Sequence, residues 1–325
     1  MDDVDIGLFD RDWNNTIYYF ILNADEQIYL RYGGRDSRSP DTYLNLDSLE
    51  LALQKGLGLH RRYLDGSLPK SLRPAALYPR DIPLLVERTF AHRACVECHL
   101  IGDFQNLARE QEGKLDKPAD LYRSPDLLTL GIQLDVPRGL VVKEVRGAAA
   151  AGGMRPGDLI MDLNDTSVWT FGDLQYRYDK IPRNARQIRV GVERQGARRE
   201  LTIALPELWW LTDITFRQSS VEPRLYFDSR PLSPDQKRSR GLAPDGFASE
   251  VIRVDSLAEM LHSHQLRAGD IICAVDGIER DDMANTAELF IKLRKTAGDA
   301  VTLDVIRNGT KIQMKLTTYR LSFRK

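Results

Sequence analysis

The chain has 325 residues, with 46 Lys plus Arg against 47 Asp plus Glu, a formal net charge of -1 and 42% hydrophobic residues. Balanced charge without a long basic run leaves no footprint for nucleic acid, and no apolar stretch reaches bilayer-spanning length. The length points to two or three domains, each able to bury a core.

Taken in chain order, Thr16 to Leu22 reads as a strand, Asn23 to Glu26 as a turn and Gln27 to Tyr32 as a returning strand that stops at Gly33-Gly34. Leu46, Leu49, Leu53 and Leu57 then recur at helical spacing and predict a helix running toward His60. Residues 66–126 carry less periodic signal. Pro69, Pro74, Pro79 and Pro83 mark an extended connector, followed by short helices from Leu84 through His99 and on to Leu107.

Residues 127–205 and 241–318 repeat one pattern. A strand (Gly139 to Val145; Ala248 to Val254) leads to Gly157-Asp158-Leu159-Ile160 in the first copy and Gly269-Asp270-Ile271-Ile272 in the second. A candidate helix follows (Phe171 to Asp179; Asn285 to Lys295). Each copy ends in two strands around a tight turn, Gln195-Gly196 and Asn308-Gly309. The Gly permits the turn and the Asp caps it, while the next strand buries alternate apolar residues.

The remaining signal is Cys95-Val96-Glu97-Cys98-His99, which uses two of the three cysteines in the chain. Cys-x-x-Cys-His is the c-type haem attachment pattern, which makes Cys95, Cys98 and His99 cofactor-binding candidates, with His99 as the iron ligand. No Met lies between Cys98 and Met154, so a sixth ligand would be His60, Met154 or a residue from a second subunit; His92 would lie on the proximal side. His92, Cys95, Cys98 and His99 also make a zinc ligand count, and a plain disulfide or dithiol is the third option.

The repeats resemble bacterial, circularly permuted PDZ domains found beside periplasmic proteases. The whole chain resembles a family of bacterial exported proteins that join a thioredoxin-like domain, a Cys-x-x-Cys-His segment and PDZ repeats. That resemblance is carried by Leu22 to Asp25, Arg31 to Arg35, Cys95 to His99, Gly157-Asp158 and Gly269-Asp270. It implies an α+β multidomain fold: a partial thioredoxin-like α/β unit (1–65), a connector with a short helical CxxCH segment (66–126), a PDZ-like β-rich domain (127–208), a connector (209–240) and a second PDZ-like domain (241–325). The redox cysteine pair and the two βα units that precede this part of a thioredoxin are absent.

In the first repeat, Leu130, Gly131 and Ile132 resemble the PDZ carboxylate-binding loop, where backbone N–H groups capture a chain end while the ligand adds a strand. A weaker counterpart lies near Gly241-Leu242, behind an insertion from Ser229 to Arg240. Trp209-Trp210 reads as a core plug, and Cys273 as a small strand residue without a role. His262 and His264 read as solvated. No Gly-x-Ser-x-Gly occurs, so a hydrolase is not expected.

The expectation is an exported electron-transfer or redox-sensing protein carrying haem c, with PDZ-like repeats that dock a protein or C-terminal peptide, and with a redox partner. The alternative is a non-enzymatic PDZ scaffold whose cysteines hold a disulfide or zinc, or nothing. Its place would be periplasmic or otherwise extracytoplasmic, although the chain opens on Met1-Asp2-Asp3 without a basic and apolar leader.

Overall fold

A computed structural model describes residues 2–94, 96–212, 214, 221–256 and 265–320. The chain divides into two compact units, Met1–Gln218 and Ser219–Lys325. Among the described residues no helix is long and apolar enough to cross a membrane.

The first unit opens with β1 (Tyr18–Leu22) and β2 (Ile28–Gly33), paired antiparallel, and continues into α1 (Leu46–Leu64). Asn45 starts α1 by accepting the N–H groups of Asp47 (2.9 Å) and Ser48 (3.4 Å). The helix buries Ala52, Gly56 and Leu59 against Leu30 and Tyr32. Gly56 lets the Ile21 side chain come close, since a Cβ there would stand 2.7 Å from it. Leu46, Leu53 and Leu57, expected on the packed face, are 82%, 50% and 61% exposed. The small residues set the buried face because they allow the hairpin to approach.

The partial thioredoxin-like unit expected at residues 1–65 is not formed. β1 and β2 make their own two-stranded sheet and pair with no other described strand. Instead of extending a thioredoxin sheet, β2 runs along a helix of the first repeat. The short helices α2 (Pro83–Arg88), α3 (Cys98–Gln111) and α4 (Lys117–Asp120) follow.

The first repeat comprises β3 (Ile132–Leu134), β4 (Val142–Val145), α5 (Gly147–Ala151), β5 (Leu159–Leu163), β6 (Thr166–Ser167), α6 (Phe171–Asp179), β7 (Gln187–Arg194) and β8 (Ala197–Ala204). β3 pairs with β4, and the other four strands form a sheet in the order β6-β5-β7-β8. The second unit holds β9 (Phe227–Pro231), α7 (Pro234–Arg238), β10 (Ser249–Val254), β11 (Ile271–Val275), α8 (Ala287–Arg294), β12 (Ala300–Arg307) and β13 (Thr310–Thr317). Its five strands run β13-β12-β11-β10-β9, so β9 is an edge strand.

The repeats share their local chemistry as well as their order. Asp158 takes the Arg155 N–H (2.9 Å) and Asp270 takes the Arg267 N–H (2.8 Å), closing the Gly-Asp turn in each copy. Both carboxylates then receive two bonds from an arginine of the final hairpin. Arg194 reaches Asp158 at 2.6 and 2.7 Å, and Arg307 reaches Asp270 at 2.8 and 2.6 Å. Such forked pairs fix geometry as well as charge. Thr170 and Thr286 cap α6 and α8 through the N–H of Asp173 and Leu289, each at 3.1 Å. Gln195-Gly196 and Asn308-Gly309 both turn with two positive φ angles, as the tightest hairpins require.

Candidate functional site

The Cys-x-x-Cys-His segment does not assemble a cofactor site, which corrects both the haem c and the zinc expectation. Cys95 lies outside the described residues. Cys98 opens α3 as a free thiol, and His99 presents Nε2 to the Glu97 carboxylate at 2.9 Å, the atom an iron or zinc would need. The two expected distal ligands are engaged elsewhere. His60 Nδ1 pairs with the Tyr29 hydroxyl at 2.9 Å, and Met154 is 2% exposed within the first repeat. Among the described residues no group of three or more His, Cys, Asp or Glu side chains is placed to hold a metal. The electron-carrier reading and the exported haem-protein family that went with it fall with this site. Cys273 Sγ lies 3.4 Å from the Asp304 carbonyl, with its thiol pushed up by burial. His262 and His264 lie outside the described residues.

Leu130, Gly131 and Ile132 form a buried turn. Leu127–Leu130 is a single 3₁₀ turn, Gly131 adopts φ +82° and Ile132 begins β3. A Cβ on Gly131 would collide with the Arg146 backbone, so only glycine fits this approach. Leu130 and Ile132 are fully buried, as are Trp209 and Trp210, whose rings pack on Tyr178 and Tyr122 respectively. Asp126, just ahead of the turn, accepts the Ser37 N–H at 3.2 Å.

That last bond belongs to the chain's own N-terminal segment, which also runs along α6. It is held by its main chain. Asp173 accepts the Arg31 N–H at 2.9 Å and Thr170 donates to the Arg31 carbonyl. Gln175 accepts the Arg35 N–H at 3.2 Å and donates to the Arg35 carbonyl at 2.8 Å. Between these points Gly34 (φ +135°) lies flat on the Phe171 ring, with no room for a Cβ. Tyr43 stacks on the other part of that ring system, with centroids 3.3 Å apart and planes within 8°.

Arg35 is anchored in turn. Its side chain is 1% exposed, pairs with Asp12 at 2.6 Å and donates to the Arg123 carbonyl at 2.7 Å. Burial pushes Asp173 up to about 6, against the pull of the Arg31 N–H and guanidinium, and its second oxygen has no partner.

The second unit presents a different edge. β9 pairs with β10 on one side only, with Val251 opposite Ser229. The Ser229 N–H points away from β10 and donates to Glu288 of α8 at 2.9 Å, and the Ser229 hydroxyl reaches the same oxygen at 3.2 Å. Lys292 holds the other Glu288 oxygen at 3.2 Å. A side-chain carboxylate thus occupies the position a partner strand's carbonyl would take. This strand lies inside the stretch read as a connector, some ten residues ahead of the Gly241-Leu242 counterpart. Gly241 instead ends a turn after α7. Sequence reading missed β9, Ser229 and Glu288; the signal available was Leu225-Tyr226-Phe227, a short apolar run ahead of β10 as Leu130-Gly131-Ile132 is ahead of β4, at a longer spacing.

No protein-family model matches the sequence, and neither does any curated protein sequence. Several solved structures are similar over part of their length. A substituted form of the HtrA-type protease AlgW with a decapeptide shares 18% identity over 43% of this chain and 42% of that one, with a TM-score of 0.27. AlgW with the same class of ligand shares 20% over 43% of each chain, TM-score 0.25. An aminopeptidase N family protein from Idiomarina loihiensis shares 21% over 33% of this chain and 15% of that one, TM-score 0.24. The chain thus spans less than half the length of these structures.

Proposed function

We propose that the protein is a non-catalytic docking protein. Its second unit takes an extended segment of a partner protein onto β9 by strand addition. In its first unit the chain's own N-terminal segment is held instead, Arg31 and Arg35 on α6 and Ser37 on Asp126. The observation that carries this reading is the Ser229 N–H, an outward main-chain donor on an edge strand, satisfied only by a side chain that can swing away. Strand addition draws affinity from such main-chain donors and specificity from alternate side-chain pockets. An open edge left without a purpose is a hazard that proteins usually cover or charge.

The non-catalytic part is supported by how two of the described histidines are engaged: His60 with the Tyr29 hydroxyl and His99 with the Glu97 carboxylate. An extracytoplasmic location follows from the kind of repeat the sequence resembles, and osmotic-shock fractionation of the tagged protein tests it; retention with the cytoplasmic fraction would refute it.

The docking reading is tested with a displayed library of random peptides selected on the full chain. Replacing Glu288 by Ala removes the competing acceptor, and selected peptides then bind about five- to tenfold more tightly, equivalent to one hydrogen bond of about 1 kcal/mol. Equal or weaker binding to the Ala variant would count against β9 as the docking edge.

A further inference from the structure

The first unit contains a cavity of about 400 Å³ at the start of α6, bordering the seat of the N-terminal segment at Thr170 and Phe171. One wall comes from α1 and the hairpin (Tyr32, Leu51, Lys55) and the other from the first repeat (Val136, Leu140, Trp169). Its volume falls at the lower end of the range that small-molecule sites occupy, roughly 300–1,000 Å³. Its lining includes two cations, Lys55 and Arg138, and no carboxylate.

Three hydroxyls around it are already engaged, those of Tyr32, Ser48 and Thr170. The Tyr32 hydroxyl meets Ser48 Oγ at 2.9 Å, Ser48 Oγ donates to the Asn45 carbonyl at 3.2 Å, and Thr170 serves the Arg31 carbonyl. Arg138 leans on Asp135 at 3.8 Å. Lys55 forms no ion pair among the described residues. Its Nζ sits 3.3 Å from the Trp169 ring centroid, and burial together with the nearby Arg62 charge lowers its pKa. An unneutralised ammonium at the mouth of an apolar cavity is an incomplete arrangement that an anion would complete.

We propose that this cavity binds a medium-chain carboxylic acid, with its alkyl chain between α1 and the first repeat and its carboxylate on Lys55. The saturated chain is favoured over a peptide end for a stated reason. Buried peptide groups cost free energy unless they find partners, and the Tyr32, Ser48 and Thr170 hydroxyls are taken. An alkyl chain needs none and gains about 0.8 kcal/mol for each methylene buried.

The test is calorimetric titration of the full chain with sodium decanoate, kept below its micelle concentration, beside decan-1-ol and the free acid acetyl-Ala-Leu-Leu. Decanoate binds at one saturable site, and decanol binds about tenfold or more weakly, the equivalent of about 1.4 kcal/mol for the lost charge. Lys55→Gln erases the preference for acid over alcohol while the tryptophan emission stays native, and Lys55→Arg restores it. Absence of saturable decanoate binding, equal binding of acid and alcohol to the wild type, or a preference that survives Lys55→Gln would overturn the assignment. Tighter binding of the tripeptide than of decanoate would overturn it too, and would give the cavity to chain ends.

Discussion

Asp173 offers a measurement of how the N-terminal segment is seated. Its carboxyl is 7% exposed, spends one oxygen on the Arg31 N–H and leaves the other without a partner. Burial raises it from 3.8 to about 6 in the folded chain. The folded state therefore holds the proton between pH 4 and 6 while the unfolded state has released it. Stability from this group is fully present below pH 4 and is lost as pH rises through 6. At about 1.4 kcal/mol per unit, roughly two units amount to about 3 kcal/mol. Asp173→Asn keeps the size and the acceptor but cannot titrate. All four tryptophans, Trp13, Trp169, Trp209 and Trp210, lie in the first unit, so urea denaturation followed by tryptophan emission reports that unit alone. The stability difference between Asp173→Asn and wild type should grow by about 3 kcal/mol in favour of the variant from pH 4 to pH 7. A difference that stays flat within about 0.5 kcal/mol, the usual scatter for independent surface changes, would refute this account of the Asp173 environment.

Gln175→Ala strips both main-chain bonds from buried Arg35 and should cost about 2–3 kcal/mol in the same tryptophan-detected transition, as orphaned buried amides do; a loss below 0.5 kcal/mol, ordinary for a surface change, would mean the clasp is idle. Asp158→Asn and Asp270→Asn break equivalent arginine forks in separate units. The first should lower the tryptophan-detected transition by about 3 kcal/mol and leave the other untouched, and the second should do the reverse when unfolding of the second unit is followed by hydrogen exchange. Identical effects of both variants on tryptophan emission would contradict the division into two units.

The repeats were legible because their signals are local. Gly-Asp turns, threonine caps and paired turn residues each act within a few positions, and each appears twice. Other features depend on partners remote in sequence. The leucines of α1 have helical spacing, yet Ala52 and Gly56 choose the buried face because they admit Ile21, which counting apolar residues cannot reveal. The seating of residues 31–35 is carried by Thr170, Asp173 and Gln175, polar side chains whose periodicity says nothing about an approaching main chain. β9 escaped notice because five residues ending in Arg230-Pro231 show little alternation, and its partner β10 begins eighteen residues later. Cys95 to His99 misled for a related reason. The template specifies residue types and spacing, whereas ligation also needs a free imidazole nitrogen and a second ligand facing it, and here Glu97, Tyr29 and the core around Met154 take those groups.

The central claim is that β9 receives the partner through the Ser229 N–H. Ser229→Pro removes that one donor, and proline is tolerated on an edge strand whose N–H faces outward. The decisive measurement is the affinity of a peptide selected on the wild-type full chain, compared between wild type and Ser229→Pro, with amide exchange confirming that β10 to β13 remain protected. The account predicts a loss of about tenfold or more with protection intact. Unchanged affinity on a folded Ser229→Pro chain would contradict it.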